Sequence, residues 1–153
     1  MDYFAIKWLH IVSSTLLFGT GVGSAYYMFV ASRSRDPHVI AFVAKYVVIA
    51  DWLITAPTVL IQPLSGWYLA ARTQLPWNTG WLRDAVWFYA FAIACWLPVV
   101  WIQIRMRDLA RLASSSGTDM PERYWRFFAA WVVLGAWAFV AFVVVFYLMV
   151  VKP

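Results

Sequence analysis

The stretch Phe127–Val151, FFAAWVVLGAWAFVAFVVVFYLMVV, runs for roughly 25 residues without one charged side chain. About 20 apolar residues in a helix cross the hydrocarbon core of a bilayer. Lipid offers no partner to a free N–H or C=O, so such a segment must close its own backbone hydrogen bonds as a helix. Working outward from it, three further uncharged stretches appear at 8 to 32, 52 to 71 and 85 to 104, of roughly 25, 20 and 20 residues. The chain is therefore expected to be all-α: a polytopic membrane protein forming a four-transmembrane-helix bundle. The helices fall at about 3–31, 40–71, 82–112 and 120–151, within a single membrane domain 1–153.

Composition agrees. Of the 153 residues, 64% are hydrophobic, a share that soluble domains do not reach. The 11 Trp residues suit lipid-facing surface and interfacial belts better than one soluble core. Tyr3 and Trp8 against Tyr26 and Tyr27 mark the two ends of the first helix, and Tyr46 against Trp67 and Tyr68 those of the second. Trp81 and Trp87 against Trp101 bracket the third, and Tyr124 and Trp125 against Tyr147 the fourth. Met1-Asp2-Tyr3 lacks a basic leader and no small-residue cleavage site follows, so the first apolar run reads as a retained helix.

The net charge of +5 lies in short clusters between apolar runs and makes no continuous patch for nucleic acid. Connector 31–38 holds Arg33 and Arg35. Connector 105–126 holds Arg105, Arg107, Arg111, Arg123 and Arg126, and with Lys45 these make eight basic residues on one face. The other face has four, Lys7, Arg72, Arg83 and Lys152. The positive-inside rule then predicts cytoplasmic connectors and both termini outside, in a bacterial inner membrane. In the longer connector, helix three is expected to continue through Arg111 and break at Ser114-Ser115-Ser116-Gly117. Asp119 is expected to cap helix four in a capping box with Glu122, with Pro121 in the first turn.

His10 is the residue most able to carry chemistry. Polar groups inside a membrane are costly and face the bundle interior, and imidazole is a common axial ligand of haem iron. Helical spacing places Ser14, Gly21 and Ala25 on the face that His10 defines. Gly19, Gly21 and Gly23 leave the middle of that helix nearly bare, with room for a flat macrocycle. The competing reading makes Gly19 and Gly23 a small-xxx-small helix contact, with His10 an interfacial residue bonded to water. Antiparallel counting sets Gln62, Ser65, Tyr147 and Met149 near the depth of His10. Met149 is then a second axial ligand or ordinary packing bulk, and Tyr147 an interface anchor.

Pro57 and Pro63 each free a carbonyl in helix two. Gln62 either satisfies the group freed beside it or stands at a kink that opens the bundle to a ligand. Asp51, an intramembrane carboxylate, is a candidate for proton or ion handling, or a structural pin neutralised by Gln103 or Arg105. Cys95 stands alone, so no disulfide or cysteine metal cluster forms within the chain. No phosphate-binding glycine loop and no metalloprotease spacing is present. His38 lies in a connector on the opposite face from His10, so a bis-His haem needs a dimer or partner.

Lys7-Trp8-Leu9-His10, Phe18-Gly19-Thr20-Gly21, Asp51-Trp52, Gln62-Pro63-Leu64-Ser65-Gly66, Cys95-Trp96-Leu97-Pro98, Met106-Arg107 and Lys152-Pro153 resemble a bacterial family of predicted integral membrane proteins with no assigned function. More distantly, a histidine early in helix one followed by a glycine-rich turn resembles HemJ-type protoporphyrinogen oxidases and CopD-like membrane proteins. The HemJ resemblance implies a b-haem ligand role for His10. Later helices here carry no lysine, where that pattern has one. The leading expectation is a haem-b-binding redox protein that moves electrons between a quinone-level donor and a periplasmic acceptor.

Two alternatives stand beside it. One is a non-enzymatic subunit or assembly partner in a homo-oligomer or membrane complex. It would dock through the glycine face and an aromatic stripe of Phe128, Trp131, Phe139, Phe142 and Phe146. The other is a CopD-like metal-handling protein, for which Met and His are sparse.

Overall fold

The computed structural model describes residues 2–153. Four long apolar helices, each long enough to cross a membrane, pack as a bundle. The first is α1, Tyr3–Ser34. The second crossing is composite: α2 (Pro37–Ala50), a π-helical turn (Asp51–Thr55) and α3 (Ala56–Arg72) run on without a break. The third is α4, Gly80–Ser116, and the fourth α5, Glu122–Val151. The helices extend past the apolar stretches because their polar ends continue the same hydrogen-bond ladder into the connectors.

Local chemistry sets the ends. Asp2 caps α1 by accepting from the Phe4 amide at 3.3 Å. Between α1 and α2 only Arg35 and Asp36 intervene. Arg35 takes a left-handed conformation (φ 57°), and Asp36 caps α2 by accepting from the His38 amide at 2.8 Å, with Pro37 in its first turn. The expected serine break resolves to Gly117, whose φ of +61° suits a residue without Cβ. The expected capping box does not form. Helix α5 begins at Glu122 with Pro121 as its cap and no side-chain cap bond, so Asp119 stays outside the helix. The extended backbone of Pro121 (ψ 151°) starts the helix two residues later than the box would.

The core lies toward the end of the bundle that holds connectors 31–38 and 105–126, the connector end. Met28 of α1, Ile40 and Ala44 of α2, Met106 and Ala110 of α4, and Tyr124 and Trp131 of α5 pack there. Buried Tyr124 closes it: its hydroxyl donates to Ser32 Oγ at 2.7 Å, and Ser32 in turn donates to the Met28 carbonyl at 2.8 Å. Toward the other end, which holds both termini, packing separates into α1 against α3 and α4 against α5. Two links join these pairs. Phe18 meets Phe139 and Phe146 at 5.5 and 5.3 Å between ring centroids. The Tyr89 hydroxyl of α4 donates to the Val59 carbonyl of α3 at 2.7 Å.

The aromatic stripe expected to dock a partner is largely used inside the chain. Trp131 is buried and stacks on Phe128, Phe139 and Phe146 hold Phe18, and Phe142 meets Tyr89. The spacing that gathers these rings on one side of α5 turns that side toward α1 and α4.

Candidate functional site

Two polar clusters lie within the apolar helices. The first joins α1 to α3 near the terminus end. His10 Nδ1 lies 2.7 Å from Ser65 Oγ, and the Gln62 side-chain amide donates to the His10 carbonyl at 2.8 Å and to Ser13 Oγ. Ser13 donates to the His10 carbonyl at 3.1 Å.

Ser65 also faces backbone acceptors of its own helix. Its one hydroxyl proton can go to the Ile61 carbonyl or to that of Gln62 at 3.2 Å. A Ser65 Oγ that gives its proton to these carbonyls accepts from His10, which places the ring proton on Nδ1. Gly66 permits this seat. A Cβ there would stand 3.4 Å from His10 Cε1, so the ring lies against the bare backbone of α3.

Proline explains the rest of α3. Pro63 has no N–H for the Val59 carbonyl four residues earlier, and that carbonyl is the one Tyr89 reaches across to satisfy. Gln62 was the sequence's candidate for that task, but its amide turns to α1 instead.

The residues expected around His10 divide. Ser13, and not Ser14, is its companion; Ser14 donates back to the Ile11 carbonyl at 2.7 Å. Gly21 and Ala25 are exposed, and a Cβ added at Gly19, Gly21 or Gly23 would meet nothing within 4 Å. These positions are therefore open in the described chain, with Gly21 on the His10 side of α1 and Gly19 and Gly23 on the opposite side. Met149 is half-buried on α5, and the hydrogen bonds of His10 reach only α1 and α3. Tyr147 is exposed, as an interface anchor would be. Ser13 and Tyr89 were missed. Ser13 was legible as one of two neighbouring serines a turn from His10, and Tyr89 as a hydroxyl within an otherwise apolar run.

The second cluster sits where the second crossing changes pitch. Asp51 opens the π-helical turn, and the Ala56 amide bonds the Asp51 carbonyl five residues back. Because that amide is taken and Pro57 has none, the Trp52 carbonyl receives no backbone donor from either residue. Asp51, Thr55 and Gln103 of α4 are 5%, 3% and 6% exposed. Thr55 and Gln103 stand beside the Asp51 carboxyl. Even so, Asp51 Oδ2, Thr55 Oγ1 and Gln103 Oε1 each lack a hydrogen-bonding partner.

Arg105 is not the counter-charge. Its guanidinium, two residues past Gln103, packs over the Trp101 ring at 5.4 Å and makes no ion pair with Asp51. Among the described residues, no three His, Cys, Asp or Glu side chains gather as a metal site.

No curated protein and no solved structure matches the chain. Residues 4–153 match the family described as predicted integral membrane protein (DUF2269). With four membrane-length helices and that match over nearly its whole length, the chain belongs to this family of integral membrane proteins.

Proposed function

We propose that this membrane protein binds haem b through His10 Nε2 and serves as a redox carrier at the terminus end of the bundle. The observation that carries the reading is the contact of His10 Nδ1 with Ser65 Oγ. A ligating imidazole is held by a hydrogen bond at its other nitrogen, and Ser65 Oγ holds Nδ1 of His10 in this way. Gly66 seats the ring against α3, and Gln62 ties the backbone of the same residue to that helix, so ring and backbone are both held to α3. On the His10 side of α1, Gly21 has nothing within 4 Å of an added Cβ and Ala25 is exposed, which leaves open surface for a flat apolar group. Bound haem would supply one-electron chemistry, and the chain's part is to hold and orient one axial nitrogen.

The charge asymmetry of the connectors supports placing them in the cytoplasm of a bacterial inner membrane, with the haem side outside. A reduced-minus-oxidised spectrum of detergent-purified protein from haem-replete cells is expected to show a Soret band that His10→Ala abolishes. A wild-type spectrum without that band refutes the reading.

The open glycine flank favours a second reading, a non-enzymatic subunit that receives a helix of another membrane protein. Gly19 and Gly23, four apart with nothing over them, present the small-xxx-small surface on which transmembrane helices meet. Stable co-purification of a partner that Gly19→Leu releases would support it. A partnerless monomer under mild solubilisation counts against it.

A further inference from the structure

We infer that Asp51, Thr55 and Gln103 form a proton-binding site inside the membrane, in which the Asp51 carboxyl holds one proton exchangeable with water. This inference is independent of haem at His10, which lies on other helical turns. It begins with charge. An ionised carboxylate in hydrocarbon is costly unless a cation stands beside it, and none does. On α2, the nearest cation is Lys45, which is exposed with its ammonium over the Tyr46 ring. On α4, Arg105 lies over Trp101, and the only other titratable side chain between Tyr89 and Arg105 is buried Cys95. Along α1 no charged residue occurs between Lys7 and Arg33, and along α5 none between Arg126 and Lys152.

Hydrogen-bond counting points the same way. Asp51 Oδ2, Thr55 Oγ1 and Gln103 Oε1 have no hydrogen-bonding partner, each in a residue more than nine-tenths buried. One added proton can close the set. The Thr55 hydroxyl donates to the carboxyl, and the new carboxyl O–H donates to Gln103 Oε1. The π-helical turn makes the threonine available. In an ordinary helix its hydroxyl can donate to the carbonyl four residues back, as Thr58 does to Ile54, but in the π-helical turn Thr55 makes no such bond. A metal ion fits less well, since hard cations gather six or more oxygens and this cluster offers three side chains.

The test uses the whole chain in detergent or proteoliposomes and a hydrophobic carbodiimide, which attacks protonated carboxyls within membranes. Peptide mapping by mass spectrometry is expected to find Asp51 modified in preference to the exposed Asp84, Asp108 and Glu122. The modification should fall as pH rises, remain unchanged when sodium replaces choline at constant ionic strength, and vanish in Asp51→Asn. In case that variant does not fold, infrared spectroscopy of the wild type supplies a second readout. A protonated-carboxyl carbonyl band should shift in D2O and disappear on alkaline titration. The inference is overturned if Asp51 stays unlabelled at every pH in folded protein, or if its labelling does not depend on pH. Protection by sodium at fixed pH overturns it as well, in favour of a cation site.

Discussion

Tyr89→Phe removes one oxygen atom and tests how the two halves of the bundle are joined. The Val59 carbonyl has lost its helical donor to Pro63 and holds the Tyr89 hydroxyl at 2.7 Å instead. If this were an ordinary interhelical hydrogen bond, its loss would cost about 0.6 kcal/mol, the average for such bonds inside membranes. Here the carbonyl left behind has neither a backbone donor at the proline nor water, and a buried unsatisfied acceptor costs about 1–3 kcal/mol. The larger figure should apply. Pro63→Ala supplies a control, because alanine restores the N–H and makes the tyrosine redundant. In that background Tyr89→Phe is expected to cost about 0.5 kcal/mol or less, giving a coupling of about 1–2 kcal/mol in a double-mutant cycle. Reversible unfolding in mixed micelles with rising SDS, followed by circular dichroism, measures all four proteins. A coupling within about 0.3 kcal/mol of zero, the usual error of additivity, would show that the tyrosine does not stand in for the missing proline donor.

Other substitutions probe the same physics elsewhere. Tyr124→Phe, which strips the hydroxyl from the buried Ser32 contact, should cost about 1 kcal/mol in the same unfolding assay. Gly117→Ala, at φ +61°, should destabilise by about 1 kcal/mol by forcing a side chain into the left-handed region. Gly19→Leu and Gly23→Leu meet nothing in this chain, so each should leave unfolding unchanged within about 0.5 kcal/mol. Ser65→Ala frees Nδ1 of His10, and nitrogen NMR of labelled histidine should then show the loss of a single Nδ1–H tautomer.

Hydrophobic length is a property that sequence carries by itself. Whether a segment crosses a membrane depends on a sum over about 20 neighbouring residues, so four uncharged stretches sufficed for four crossings, and the motifs along them for the family. Pro63 likewise announced a freed carbonyl on its own, because the missing N–H belongs to the residue itself.

Which side chain meets which is a matter of helix rotation, and local spacing is a poor guide to it. At 3.6 residues per turn Ser13 and Ser14 lie roughly 60° and 40° to either side of His10, so sequence could not choose between them. The packing of α1 on α3 chose Ser13 and turned Gly21 and Ala25 outward. The same holds for Asp51. Its isolation from every cation follows from where α4 sets Gln103 and where Arg105 finds Trp101, relations between distant segments that only the assembled bundle decides.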